Sequence, residues 1–357
     1  MKQRRWERDR IMRLPAVKTA SGRLGVLVWL AFCWLGVAVH AALSHDFIPT
    51  AQDKIVPPGA KPKVVWADGE FTEGPVPTAD GVVLFSDIGN RIMQYDPRSG
   101  KTTVFRAESG RSNGMMFDPQ GRLVVCEGAN TDGGRRISIT ETDGRVRTLA
   151  DRYQGKRFNS PNDLAVDRSG RVYFTDPRYV GDEPRELDFE GVFLIEPNGT
   201  VKLATRDVNK PNGILVAADG KTVYVSDNPG GPERKRQLLA FSVRADGTLS
   251  DKRVLWQFAP RRRGIDGMTL DCEGNIYAAA GSGEHAGVYV FSPQGKPLAR
   301  IPLPASPTNC VFGVGRESNV LYITAPAPTK AGRPARFALY RISLRKKGYH
   351  LYPPKGP

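Results

Sequence analysis

Residues 159–177 read NSPNDLAVDRSGRVYFTDP, and residues 209–228 repeat the pattern as NKPNGILVAADGKTVYVSDN. Each copy sets a proline and an asparagine ahead of a short apolar run and turns at a glycine, Gly170 or Gly220. Each then resumes with a β-branched and aromatic run that ends on polar residues. Two such runs joined by a short glycine-containing turn predict a β-hairpin. The opening residues are the anomaly. Asn162, Asp163 and Asn212 are among the poorest strand formers, so a repeat that keeps them in one place has a reason other than backbone propensity.

Outward from these two copies, the unit recurs along the chain. Its openers are Glu73 in EGPVP, Asn113 in SNGMMFD, Asn162, Asn212, Asp266 in DGMTLD and Asn309 in TNCVFG. They lie roughly 45 residues apart, and further strand-like runs follow each hairpin, the spacing of a four-stranded repeat. Almost nothing reads as helix. Six such units predict an all-β fold, a six-bladed β-propeller. The last unit supplies only three runs, NCVFGV, VLYITA and FALYRISL, while KVVWA at 63–67 precedes the first unit. This N-terminal strand is expected to complete the last blade and close the ring, which removes a pair of exposed edges.

The flanks read differently. Residues 1–41 combine a basic stretch, the apolar run LGVLVWLAFCWLGVAV at 24–39 and a small-residue end at Ala41, the pattern of a signal peptide. The apolar run falls short of the roughly 20 residues of a membrane span. Export to the periplasm or the extracellular space is therefore expected, with no stable membrane insertion after cleavage. Residues 42–62, with Pro57, Pro58 and Pro62, read as a linker, 63–348 as the propeller and 349–357 as a C-terminal tail.

Composition is ordinarily globular, at 40% hydrophobic and 25% charged residues. The net charge is +15, of which the first 41 residues contribute eight basic against two acidic side chains. The remaining basic residues are scattered, apart from short clusters at 234–236 and 261–263, and no basic motif is interleaved with aromatics. A nucleic-acid partner is not expected. Beyond the N-terminal segment stand Cys126, Cys272 and Cys310. An odd count without close spacing argues against a disulfide scaffold or a zinc site. Their apolar neighbours suggest buried thiols, with one disulfide left open.

In a propeller the first strand of each blade lines the central channel, so the openers face one another near one rim. Glu73, Asn162, Asn212 and Asp266 then form an all-oxygen set with two carboxylates, suited to a hard divalent cation. Turn chemistry would explain an Asn or Asp at a bend but not Glu73. Antiparallel alternation brings the loops after the second strands, 176–190, 227–236, 281–286 and 325–334, to the same rim, with Tyr179 and His285 as wall candidates. The basic clusters fall on this rim too and suggest an acidic substrate. A Ser-His-Asp triad is disfavoured, because histidines are few and no G-x-S-x-G elbow is present.

The motifs EGPV, GKRFNSPNDLAV, GRVYFTDPRY, PNGI, TVYVSDN, DGMTLDCEGNIY, GVYVFSPQGK, TNCVFG and LYITA together resemble the gluconolactonase / senescence marker protein (regucalcin) family of calcium-dependent six-bladed propellers. The resemblance runs over about residues 63–345, and diisopropyl fluorophosphatase is a more distant relative. It implies hydrolysis of a sugar-type lactone as the small-molecule substrate. It also implies Ca2+, or another divalent cation, held by Glu73, Asn162, Asn212 and Asp266, with Asp266 as the catalytic acid/base. Arg157 and Asn159 correspond to family residues near the substrate, and Asn113 joins them as a substrate-side opener. Pro77 stands where many relatives carry an aromatic. A phosphotriesterase- or aryl-esterase-like hydrolase on the same metal centre, or a non-catalytic extracellular binding propeller, remains the alternative. Nothing in the sequence fixes the oligomeric state.

Overall fold

The computed structural model describes residues 46–328 and 336–352. The segment read as a signal peptide, 1–41, lies outside them. The described chain forms six four-stranded antiparallel sheets in sequence order. Blade I runs Thr72–Pro77, Val83–Asp87, Arg91–Asp96 and Lys101–Ala107. Blade II runs Ser112–Phe117, Leu123–Glu127, Arg136–Thr140 and Val146–Ala150. Blade III runs Leu164–Val166, Val172–Asp176, Gly191–Ile195 and Val201–Thr205. Blade IV runs Pro211–Val216, Thr222–Asp227, Gln237–Val243 and Leu249–Gln257. Blade V runs Ile265–Leu270, Ile276–Ala280, Gly287–Phe291 and Pro297–Pro302.

Blade VI takes Asn309–Phe312, Val320–Pro326 and Phe337–Ser343 from the end of the chain. Lys63–Gly69 is its outermost strand, paired antiparallel from Lys63 opposite Arg341 to Gly69 opposite Phe337. The ring closes as the three-run last unit predicts. The first strands of neighbouring blades pack against one another around the axis, and an apolar cluster fills each seam between blades. The second and third strands are buried on both faces, as in Val83–Asp87 and Gly191–Ile195. That burial accounts for their near-continuous apolar runs, whereas the outer strands alternate or are exposed.

The stretch expected to be a linker is packed rather than loose from residue 46 onward. Gln52–Ile55 makes one turn of helix. Ile55 and Val56 are buried in the seam between blades V and VI, and the Phe47 ring stands edge-on to Trp256, Tyr289 and Phe291. Apolar residues spaced along a proline-stiffened segment are enough to anchor it. The C-terminal tail is also held. The Tyr349 N–H donates to the Leu270 carbonyl at 3.0 Å, a His350 ring nitrogen lies 3.1 Å from the Gly313 carbonyl, and Leu351 packs on the seam between blades II and III. Among the described residues all three cysteines are free thiols: Cys126 and Cys310 are buried, and Cys272, against expectation, is exposed.

Candidate active site

The polar openers are aimed by a defect repeated in the ladders. Between first and second strands the register shifts just after the opener, at Glu73/Val76 in blade I, Ser112/Met115 in blade II, Pro211/Ile214 in blade IV and Ile265/Met268 in blade V. A bulge of this kind re-aims a side chain without ending the strand. It turns Glu73, Asn113, Asn212 and Asp266 into one cavity. The glycine that follows each of these openers has a steric role. A Cβ on Gly74 would run into the Asn113 carbonyl, and one on Gly213 into that of Asp266, so the chain behind each opener nests against the backbone of the next blade. Blade III differs. Its first strand begins only at Leu164, and Asn162 and Asp163 precede it while keeping ladder bonds to Thr175, each 2.9 Å long. Asp163 stands where the other four have glycine.

The polar ends of the second strands also have a task. Asp87 accepts the N–H groups of Glu70 and Phe71, both at 2.9 Å. Asp176 accepts those of Asn159 and Ser160 at 2.7 Å, and Asp227 accepts that of Lys210 at 2.9 Å. Each carboxylate pins the loop that leads into its own blade's opener, which fixes where the opener enters the channel.

The resulting cavity has a volume of about 490 Å3, within the range of small-ligand sites. Glu73, Asn113, Asn162, Asn212 and Asp266 form its floor; Phe71, Ile88, Tyr179 and Val180 stand around it with Arg111 and Arg263. The Arg263 guanidinium donates to Asp266 through Nη2 and to the Pro307 carbonyl through Nη1 at 2.6 Å. Asn212 donates through Nδ2 to the Tyr179 hydroxyl at 3.2 Å, which in turn donates to the Asn228 carbonyl at 3.3 Å. Burial holds the Glu73 carboxyl well above the usual carboxylate range, and the nearby negative charge of Asp266 adds to the effect. Burial raises Asp266 as well, opposed by the Arg263 charge and by a hydrogen bond from Asn212.

Whether these residues fit a metal ion turns on that charge. Glu73 is 4% exposed, and its bonds come from the Gly74 N–H and the Asn309 side chain; neither carries a charge. A buried carboxylate without a positive partner is costly, and an all-oxygen set of two carboxylates and two amides fits a hard divalent cation. Among the described residues no group of three His, Cys, Asp or Glu side chains converges to hold a metal, so the amides are indispensable to the set.

Of the other expected residues, Asn113 and Tyr179 line the cavity, and Arg157, Asn159 and His285 do not. Asn159 is fully buried and spends its amide on the Phe189 carbonyl at 2.8 Å and on Arg185 at 3.2 Å. Arg157 sits on a small hairpin, with its N–H on Glu186 at 2.8 Å and its Nη2 on the Gly134 carbonyl at 3.0 Å. His285 ends a short 3-10 turn beside Glu284 and lines a separate cavity of about 260 Å3 with Trp256 and Tyr289. Of the expected loops, 176–190 and 227–236 flank the site through Tyr179, Val180 and Asn228, 281–286 lines neighbouring spaces instead, and blades I and II add Ile88, Gly89, Gly128 and Ala129. Part of the 325–334 loop, residues 329–334, lies outside the described residues. Sequence reasoning assigned no site role to Phe71, Arg111 or Ser160, each two residues ahead of an opener at a place where the residue type changes from blade to blade, and it placed Arg263 only on the outer rim.

A six-bladed propeller with an oxygen-lined, two-carboxylate cavity at one mouth of its channel is the class that fold and site define. Residues 71–327 match the SMP-30/Gluconolactonase/LRE-like region, and the chain belongs to that family. It is 32% identical to a gluconolactonase from Zymomonas mobilis over 74% of this chain and 78% of the relative. Among solved structures it is similar to a gluconolactonase from Xanthomonas campestris, with a TM-score of 0.67 and 30% identity over 80% of this chain and 90% of that one. It shares its fold with regucalcin, a calcium-binding protein from Agrobacterium tumefaciens, at a TM-score of 0.63 and 19% identity over 81% of this chain and 95% of the other.

Proposed function

We propose that the protein is a lactonase that opens a sugar-type lactone in the cavity around Asp266. The observation that carries this reading is the pairing of Asp266 with Arg263 and Asn212 beside a second buried carboxylate, Glu73, in a chain of the gluconolactonase family. Glu73, Asn162, Asn212 and Asp266 would hold Ca2+ or another divalent cation, which when bound would polarise the lactone carbonyl and offset developing negative charge.

The chain's own groups do the rest. Asp266 takes the proton of the attacking water as its oxygen bonds to the carbonyl carbon, and returns a proton to the ring oxygen as the ester C–O bond breaks. The products balance as one hydroxy acid from lactone and water. Arg263 opposes the effect of burial on Asp266 and fixes the direction of its carboxylate. Tyr179 accepts a hydrogen bond from the Asn212 Nδ2, which leaves the amide oxygen as the group that would serve a cation. Phe71, Ile88 and Val180 form an apolar collar beside which a sugar ring can lie. Export rests on the reading of residues 1–41 as a signal peptide.

The test is hydrolysis of glucono-1,5-lactone by residues 42–357, followed by acid release in a pH-stat, before and after chelation and with Ca2+ restored. Turnover that chelation abolishes and Ca2+ restores supports the reading. Turnover of an aryl ester or phosphotriester with none of any sugar lactone would overturn it.

A further inference from the structure

The central cavity is not closed on all sides. Beyond Tyr179, Asn228 and Arg263, which line both spaces, it continues into an annex of about 500 Å3. Among the described residues five that line the annex are cations, Arg178, Lys210, Arg236, Arg261 and Arg263, and no carboxylate lines it. Three of these cations are matched elsewhere: Lys210 meets Glu190 at 2.9 Å, Arg178 meets Glu183 at 3.5 Å, and Arg263 meets Asp266. The other two are poorly compensated. The Arg261 contact to Glu233 is 3.6 Å long, with both side chains more than 70% exposed, where screening leaves it little strength. Arg236 makes no ion pair among the described residues, and its guanidinium donates only to the Gly231 and Arg234 carbonyls. In addition, Arg178 is 8% exposed at its side chain, and its Nη2 has no hydrogen-bond partner among the described residues.

We propose that this annex is an anion subsite, and that the preferred substrate is a sugar lactone bearing a phosphate or carboxylate on the part of the molecule remote from the ester. The inference rests on the lactonase reading for the reaction, but the annex itself stands on its own cations. A lactone ring seated at Asp266 extends its remote end past Tyr179 and Asn228 into the annex. There the anion meets the Arg236 and Arg261 guanidinium groups, whose planar forks match phosphate and carboxylate oxygens. The basic rim expected from the sequence is thereby divided. Arg234 and Lys235 are exposed and line neither space, Arg262 faces the His285 cavity, and Arg236 and Arg261 carry the annex.

The experiment compares glucono-1,5-lactone with its 6-phosphate and with a uronic acid lactone, in the wild type, in Arg236→Gln/Arg261→Gln and in Arg234→Gln/Lys235→Gln. The two double variants remove equal charge from neighbouring positions. The readout is the ratio of kcat/KM for each anionic lactone to that for the neutral one. In the wild type this ratio exceeds one, for the phosphate, the carboxylate or both, which identifies the anion. It falls by about tenfold or more in Arg236→Gln/Arg261→Gln and by less than twofold in Arg234→Gln/Lys235→Gln. An equal fall in both variants would mean long-range steering by net charge and would overturn the subsite, as would a wild-type ratio of one. If no lactone is turned over, the lactonase reading fails and calorimetry decides the annex alone. Tighter binding of glucose 6-phosphate or glucuronate than of glucose, lost in Arg236→Gln/Arg261→Gln, would uphold it, and no difference would overturn it.

Discussion

The same inner strands build both ends of the channel, and the two ends are put to different uses. At the opener end, Glu73, Asn162, Asn212 and Asp266 meet in an open cavity of about 490 Å3. A few residues further along those strands, Val76, Met116, Val166, Leu215 and Leu270 line a space of only about 110 Å3, with Tyr349, His350 and Leu351 of the tail across it. One end exposes buried charge to a ligand and the other removes apolar surface from water. The difference teaches that each inner strand is divided along its length, and in blades I, II, IV and V the bulge sits near the boundary. Substitutions at the two ends should therefore separate chemistry from stability.

The largest effect should strike both ends together. Deleting 61–68 removes the outer strand of blade VI and leaves the edge of Phe337–Ser343 unpaired, so the single cooperative thermal transition should be lost; a melting curve like that of the intact chain would contradict ring closure as a requirement of the fold. At the polar end alone, Asp266→Asn should lower kcat/KM for a sugar lactone by about 10^3-fold, in line with loss of a general base, while the midpoint of thermal unfolding moves by only a few degrees. A collapse in stability comparable to the loss in rate would show that the two ends are not separable.

Next, Glu73→Gln should weaken Ca2+ binding by at least about tenfold in a calorimetric titration. The same change should leave the metal-free protein equally or more stable, because it deletes a buried carboxylate with no positive partner. A metal-free protein that is markedly less stable would mean that Glu73 is already compensated. At the apolar end, truncation after Lys347 uncovers the inner strands and should lower the melting midpoint by about 5–10 °C, with kcat on the neutral lactone within twofold. The smallest effect belongs to Tyr179→Phe, which releases the Asn212 amide and should raise KM about two- to fivefold with kcat nearly unchanged.

Most of the architecture was legible because the repeat writes each blade twice over, once in its opener and once in its glycine turn. The openers could be read as a site because Glu73 fits no turn, so a shared place in the ring was the simpler account. The register shifts after the openers were not legible, since an extra residue in one strand looks the same in sequence as a slightly longer strand. Nor was the allocation of Asn159 and Arg157. Both are polar, near Asn162 and of the right type, yet their partners, Phe189, Arg185, Glu186 and Gly134, lie at sequence distances that no local pattern encodes. Residues 46–62 were misjudged for a related reason. Their prolines suggested a tether, while the apolar docking surfaces for Phe47, Ile55 and Val56 are assembled only when blades V and VI meet.

The seam in blade VI also sets an order of events. Of the strands of the ring, Lys63–Gly69 is the first to leave the ribosome, but its partner Phe337–Ser343 is the last. Through almost the whole of synthesis this early strand has no neighbour, while five blades can pair locally within their own sequence. Loop closure over that separation carries an entropic cost that local hairpins avoid. The strand meanwhile keeps backbone donors and acceptors open to any passing edge. Its composition suits the wait. Lys63 and Asp68 place opposite charges near its two ends, and exposed positions dominate its burial pattern. The oldest strand of the ring thus acts as a latch that must remain soluble until the ring it closes has been made.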